Sequence, residues 1–578
     1  MDYTIKIGGE AGQGLQTIGG ILAKVFVKHG FFLFSHQEYM SRIRGGHNFY
    51  QLRFSDSPIM CSKAEVDILV ALNLETIELH KAKLSRYGMV VYDSKVTKKR
   101  FHSEEFLDVP FKEIALREGG TPLMENTVAT GAVLGMLGMD MRSYEETLKE
   151  VFKKKGDEIV SKNLSAAKAG YEYAVTNCLK CRFTVPRREP PSRMILINGN
   201  EAIGLGALFS GCRFYSAYPM TPSTGIMNYI ASRAAEYGIV VEQAEDEISA
   251  INMALGASFA GVRAMTGSSG GGFALMVEGL SLGAITETPI VIAEVQRPGP
   301  ATGLPTRTEQ ADLLFVLYTG HGEFPRVVFV PGTPEQAFYL TNKAFNLAEK
   351  YQIPAILLSD QYLADSQWTM MPFDTERLKY KDYRLRGKRL KNVDIYKRHL
   401  FTDNGVSPLA VPGDSEHLVV TDSDEHDEEG HMIEDAETRA KMVNKRIFKK
   451  LALIREEISP PTVYGDKTPE TVLICWGSTY GVVKEVVDEL SAEQSIAMMH
   501  FSEVYPFPDT AANDYLQILK KAKRTICIEN NATGQFAYLL KAETGFIPSD
   551  KINRYDGRPF VLEELLEAVK SRTAQEVT

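Results

Sequence analysis

At 578 residues, with 44% hydrophobic and 24% charged side chains, the chain has the make-up of a globular protein of several domains, each able to bury its own core. A net charge of -9 argues against a nucleic-acid partner, and six scattered cysteines (Cys61, Cys178, Cys181, Cys212, Cys475, Cys527) argue against a disulfide framework and for a reducing, cytoplasmic setting. The opening Met1-Asp2-Tyr3-Thr4-Ile5-Lys6 lacks signal-peptide design and no apolar run reaches bilayer length, so a soluble chain without a membrane partner is expected.

The predicted elements begin with a strand, Tyr3 to Ile7, a glycine turn, Gly8 to Gly14, and a helix on which Leu15, Ile18, Ile21, Leu22 and Val25 recur at helical spacing. Apolar runs at Ile68 to Leu72 and Met89 to Tyr92 alternate with helical stretches, so residues 1–185 read as a doubly wound α/β domain. Gly12-x-Gly14 followed by Gly19 is neither the dinucleotide fingerprint nor a P-loop. The turn suits either an anion at a helix start or plain domain packing, and Arg42 and Arg44 stand further on as added cations. Pro186 to Pro191 makes a linker.

A second α/β domain, 186–366, opens with a strand from Met194 to Ile197; strands at 289–295, 326–330 and 353–358 alternate with helices. Residues 367–467 look irregular apart from a helix over 437–457, with a basic stretch followed by an acidic one. The last domain, 468–578, is a small α/β unit with strands at 471–475, 496–500 and 525–529 and a terminal helix from Val561. The predicted class is α/β, as three successive doubly wound domains.

Three motifs in the second domain carry chemistry. In Ala217-Tyr218-Pro219-Met220-Thr221-Pro222 two prolines fix the backbone around Thr221 and present its hydroxyl at a set position, or simply make a rigid turn into a helix. Glu245-Asp246-Glu247 ends in an acid that opens a helix, where a carboxylate also has an ordinary role against the helix dipole. Gly267-Ser268-Ser269-Gly270-Gly271-Gly272-Phe273 lets backbone approach a ring or an anion. After the strand ending at Val295, Arg297 and then Arg307 stand where open sheets bind ligands.

Together these motifs resemble the α subunit of the 2-oxoacid:ferredoxin oxidoreductases with a fused N-terminal γ domain, and the resemblance covers most of the chain. It implies a γ domain, a thiamine pyrimidine-binding domain and a transketolase C-terminal-like domain, in that order. It implies half of a thiamine diphosphate site: Glu247, with Glu245 as fallback, on the aminopyrimidine; Thr221 and Arg297 on the oxoacid, with Arg307 beside them; and Tyr218, Pro219, Ser268, Gly270, Gly271 and Phe273 against the cofactor. Gly12, Gly14, Arg42 and Arg44 become contacts for coenzyme A. The chain has no Gly-Asp-Gly followed by Asn for the diphosphate and its Mg2+, and no four-cysteine motif for a [4Fe-4S] cluster. Both are therefore expected on a β subunit, in an (αβ)2 assembly that passes electrons to ferredoxin. A His426-Asp427-Glu428-Glu429-Gly430-His431 stretch is similar to that of the 2-oxoglutarate type, implying succinyl-CoA as product and, in reverse, carbon dioxide fixation of the reductive TCA cycle kind. No metal is assigned to that stretch or to Cys178-x-x-Cys181. Pyruvate or another 2-oxoacid, a non-redox thiamine enzyme and a silent assembly subunit stay open.

Overall fold

The computed structural model describes residues 1–41, 45–178, 181, 183, 185, 186, 188, 193–511 and 513–574. Contacts divide the chain into two compact units: Met1–Ile197 with Ser366–Pro372 and Val561–Glu567, and the remainder from Asn198.

The first unit is built on an eight-stranded sheet in the order Phe106–Asp108, Leu84–Tyr92, Val66–Ala71, Asp2–Glu10, His47–Ser55, Phe32–Glu38, Gln367–Met370, Ile195–Ile197. The first four run parallel, as the alternation of strands and helices predicts. The other pairings are antiparallel, a half that the sequence reading did not contain. Its helix Leu15–Lys28 buries Ile18, Ile21, Leu22 and Val25 against the sheet, the stripe expected from their spacing. Two further helices, Glu125–Met136 and Asp157–Asn177, pack backbone to backbone. A Cβ on Gly131 would stand 2.2 Å from the Ala167 carbonyl oxygen, and one on Gly170 2.3 Å from that of Val128.

One expectation is corrected here. The strand Ile195–Ile197 does not open the second unit; it pairs with Gln367–Met370 at the edge of the first unit's sheet. Burial of Trp368, whose ring meets Phe34 edge-on at 5.1 Å, draws residues 366–372 onto that sheet. Segments this short have no periodicity to read. In addition, Cys178 and Cys181 are joined by a disulfide, while Cys61, Cys212, Cys475 and Cys527 are buried and free.

The second unit starts at Asn198 with a capping box: the Asn198 side chain accepts from the Glu201 backbone and the Glu201 side chain from that of Asn198. Its seven-stranded sheet runs Glu503–Tyr505, Val327–Phe329, Pro354–Asp360, Ile290–Gln296, Arg263–Ser268, Cys212–Ala217, Val240–Gln243. All neighbours are parallel except the first pair. A five-stranded sheet, Thr462–Gly465, Ile496–Phe501, Thr471–Trp476, Arg524–Glu529, Asp550–Asn553, follows from the C-terminal region. One continuous core joins the two, with Ile292, Ile356 and Phe273 in the same cluster as Val472, Trp476 and Phe536. Between them, residues expected to be irregular contain the helix Gly387–Lys391, and the helix expected over 437–457 is present as Ala436–Val443 and Lys450–Glu457 joined through a π turn, Asn444–Lys449. The basic stretch is partly buried: Arg384, together with Arg263, ion-pairs Glu349. Among the described residues no helix is long and apolar enough to cross a membrane.

Candidate active site

Because the central strands of the second unit's large sheet are parallel, their C-terminal ends share one edge, where open α/β sheets take ligands. The segments carrying Thr221, Glu247, the glycine run and Arg297 leave the sheet there, after Ala217, Gln243, Ser268 and Gln296. Glu247 opens the helix Glu247–Phe259, whose first turn is fixed by the Asp246 side chain accepting from Ser249 N at 2.7 Å. Glu247 is only 3% exposed, whereas Glu245 is exposed. The Ser268 hydroxyl donates to Glu247 Oε1 at 3.1 Å and lies 3.7 Å from Met220 Sδ. Gly272 closes the group: a Cβ there would stand 2.2 Å from Glu247 Oε1 and 2.1 Å from Ser268 Oγ, so only glycine fits against the carboxylate. Phe273, buried, meets Phe315 edge-on at 5.4 Å and anchors the turn. Gly271 is exposed and Tyr218 is 42% exposed, while Pro219 is half-buried.

Thr221 and Arg297 are brought together through the backbone: Arg297 Nη1 donates to the Thr221 carbonyl at 2.6 Å. The Thr221 turn is itself held by Ser223 Oγ donating to the Met220 carbonyl at 2.8 Å and Asn200 Nδ2 to that of Pro222 at 2.9 Å, two contacts absent from the motif reading. Arg297 is half-buried, which lowers its guanidinium's affinity for a proton. No carboxylate lies within ion-pair distance of it among the described residues. Arg307 packs against Gly557 instead.

Three further residues complete the edge. Asp312 precedes the helix Leu313–Tyr318; its N–H donates to Gln296 Oε1 at 2.9 Å, and its carboxylate is 2.4 Å from where a Gly270 Cβ would stand. Burial pushes the Asp312 carboxyl up to about 6. Gln310 clamps its loop to the smaller sheet, donating to the Trp476 carbonyl at 2.9 Å and accepting from Asn530 N at 3.0 Å. Glu294 is fully buried one strand over from Ser268. Polar residues just ahead of the apolar run 313–317 were the one available signal for Gln310 and Asp312.

In the first unit, Gly12 and Gly14 take positive φ angles of 92° and 75°, the second as N-cap of the helix Leu15–Lys28. Gly12 borders a crevice of about 330 Å³ lined also by Asp93, Lys112, Glu125 and Asn126. Its ionic lining is two acids and one lysine, not the cationic excess a phosphate calls for. Arg42 and Arg44 lie outside the described residues.

Comparison with known proteins places these features in one group. Residues 205–445 match the family described as pyruvate flavodoxin/ferredoxin oxidoreductase, thiamine diP-bdg, and residues 4–173 that described as pyruvate ferredoxin/flavodoxin oxidoreductase. A 2-oxoacid:ferredoxin oxidoreductase subunit alpha from Sulfolobus sp. is 33% identical over 97% of this chain and 96% of its own length. The 2-oxoglutarate oxidoreductase subunit KorA of Mycobacterium tuberculosis is 28% identical over 99% and 92%. Among solved structures, the 2-oxoglutarate:ferredoxin oxidoreductase from Magnetococcus marinus, with 2-oxoglutarate, coenzyme A and succinyl-CoA bound, aligns with a TM-score of 0.90 at 32% identity, covering 99% of each chain. The chain therefore belongs to the 2-oxoacid:ferredoxin oxidoreductases, oxidoreductases that depend on thiamine diphosphate, and to their α subunits.

Proposed function

We propose that this chain, with a β subunit, oxidatively decarboxylates 2-oxoglutarate, forming succinyl-CoA and carbon dioxide and passing electrons to ferredoxin, reversibly. The carrying observation is the buried Glu247 carboxylate, held by Ser268 against a glycine that leaves no room for a side chain. A buried acid with one oxygen oriented and a close-approach glycine beside it fits an aminopyrimidine ring. Glu247 would hold a proton at the ring nitrogen, and Ser268, Gly270, Gly271, Phe273, Tyr218 and Pro219 would flank the ring. When bound, thiamine diphosphate supplies a carbon nucleophile and an electron sink for loss of carbon dioxide.

Arg297, fixed by the Thr221 carbonyl and without a carboxylate at ion-pair distance among the described residues, would take the oxoacid 1-carboxylate, with the Thr221 hydroxyl beside it and Arg307 as a further cation of the same loop. Residues 1–185 act as the γ domain covering coenzyme A, Asn198–Asp365 hold the pyrimidine, and residues 468–578 form the transketolase C-terminal-like domain. The diphosphate, Mg2+ and a [4Fe-4S] cluster belong to the β subunit of an (αβ)2 assembly. The relatives named for 2-oxoglutarate support that substrate.

Two substitutions in the assembled complex test this. Glu247→Gln removes the proton-holding carboxylate and keeps its shape; oxidoreductase turnover falls roughly 100-fold or more, while thiamine diphosphate is still retained by the complex. Turnover near the wild-type level would take Glu247 out of the role. Arg297→Ala raises the KM for the oxoacid steeply with a smaller change in kcat. A panel of 2-oxoacids assayed with coenzyme A and a low-potential dye decides the substrate, and a preference for pyruvate would replace 2-oxoglutarate.

A further inference from the structure

Among the described residues, Glu294 is an acid without a hydrogen-bond partner. It lies on the central strand Ile290–Gln296, fully buried, and neither carboxyl oxygen has a hydrogen-bond partner among the described residues. An ionised carboxylate buried without donors is among the most unfavourable arrangements a protein can hold. Its position is as telling as its isolation. In the parallel register Glu294 stands opposite Ser268, the residue that donates to Glu247, so the two side chains share one face of the sheet. The ionisable groups around it are Asp312, before the next helix; Asp360, on the neighbouring strand; Arg297, three residues further along its own chain; and Glu247, reached through Ser268. Three of these four are acids. Burial, then Asp312, then Asp360 push the Glu294 carboxyl well above the ordinary range, with Arg297 the opposing influence.

Arg297 is the other half of the observation. It feels Glu294 electrostatically but forms no ion pair, and its described hydrogen bond is to a main-chain carbonyl. An ionised Glu294 would act as its counter-ion and compete with any incoming carboxylate. We infer that Glu294 is a positioning residue of this site, an uncharged carboxylic acid set beside Ser268 that leaves the Arg297 guanidinium uncompensated for a substrate carboxylate. The inference rests on the reading of Arg297 given above and deepens it: the acid and the arginine together set the affinity for the anionic end of the oxoacid.

The test has a spectroscopic arm and a kinetic arm, both on the assembled complex. Infrared difference spectra of wild type against Glu294→Gln should show, near neutral pH, the carbonyl stretch of a protonated carboxylic acid that the variant lacks. Absence of that band overturns the inference, whatever Arg297 does. In the kinetic arm the wild-type KM for the oxoacid rises with alkaline pH by roughly tenfold, the scale on which a nearby opposite charge shifts an ionic group, with little change in kcat. The Glu294→Gln profile stays flat. Coincident profiles overturn the positioning role even where the band is present. Glu294→Met, also uncharged and close in volume, replaces Gln if the amide disturbs folding, and should give the same flat profile. If Arg297→Ala leaves the KM unchanged while the band is present, the substrate role of Arg297 fails and with it the use assigned to Glu294, but the neutrality of Glu294 stands.

Discussion

Asp312 shows how one side chain sets stability against use. Its carboxyl is raised by burial from the ordinary 3.8 to about 6, so between those values the folded chain binds a proton that the unfolded chain releases. Stability from this group is therefore greatest below the ordinary value and is lost as pH rises toward 6, by up to about 3 kcal/mol. Asp312→Asn removes the charge and keeps the shape. Its thermal midpoint should exceed that of wild type by a few degrees at pH 8 and match it at pH 4, while turnover of the complex falls, because the carboxylate against Gly270 is lost. A variant no more stable than wild type at pH 8 would contradict the burial argument. The acids of this site differ in how far the sequence discloses them. Glu247 is legible, since it ends an acidic turn and opens a helix. Asp312 and Glu294 are not: an acid in a loop or strand reads as solvated until strand register and loop closure place it indoors.

At the scale of elements, one buried acid gathers several side chains of the segment after residue 397 against the large sheet. Glu287, in the turn between the helix Val277–Ile285 and the strand Ile290–Gln296, takes a positive φ of 53° and is 1% exposed. Its carboxylate pairs with Lys445 at 2.5 Å, with Lys450, and with His399 Nδ1 at 3.1 Å. Lys445 and Lys450 are five residues apart and would diverge on a regular α-helix; the π turn Asn444–Lys449 brings both onto one acid. His399 is held well below the ordinary imidazole range by burial and so donates from Nδ1 as a neutral ring, with Nε2 left to accept from the Thr421 hydroxyl at 2.9 Å. Glu287→Ala leaves two buried ammonium groups without their acid, which costs on the order of 3–5 kcal/mol. In hydrogen exchange the loss should concentrate in residues 399–457, and uniform protection across that segment would show that the cluster does not hold it. None of this was legible, because isolated lysines on a charged helix read as its solvated face. The histidine-rich stretch reads differently once folded. Asp427 accepts from Glu429 N at 2.8 Å and His431 N at 3.0 Å as a turn, and His426 is buried against His399 at 4.0 Å between ring centres.

For the whole molecule, the sequence carries the α/β class and most strands of the parallel sheets, because short apolar runs between glycine turns are local features. The sharing of one core by the two sheets of the second unit is not local, and a three-domain division could not show it. The proposed site also bears on the assembly. The carboxylate lies indoors, yet its surroundings in the second unit expose apolar side chains: Ile248 next to Glu247, Met253 on the same helix, and Leu275 beyond the glycine turn. Scattered exposed apolar residues are normal, but a set bordering a buried acid suits coverage by a second chain. Under the proposed division of the site, the diphosphate end is held by the partner, and most of the free energy of holding the cofactor would come from there. A ligand stabilises only the state that binds it, by about 2.7 kcal/mol at a hundred times its Kd. Thiamine diphosphate with Mg2+ should therefore raise the thermal midpoint of the complex with the β subunit and leave that of the isolated chain unchanged. Glu247→Gln should reduce the shift in the complex only in part, since in the proposed arrangement the charged end is held by the partner. An equal shift in the isolated chain would mean that this polypeptide binds the whole cofactor, and the division of the site between two chains would have to be abandoned.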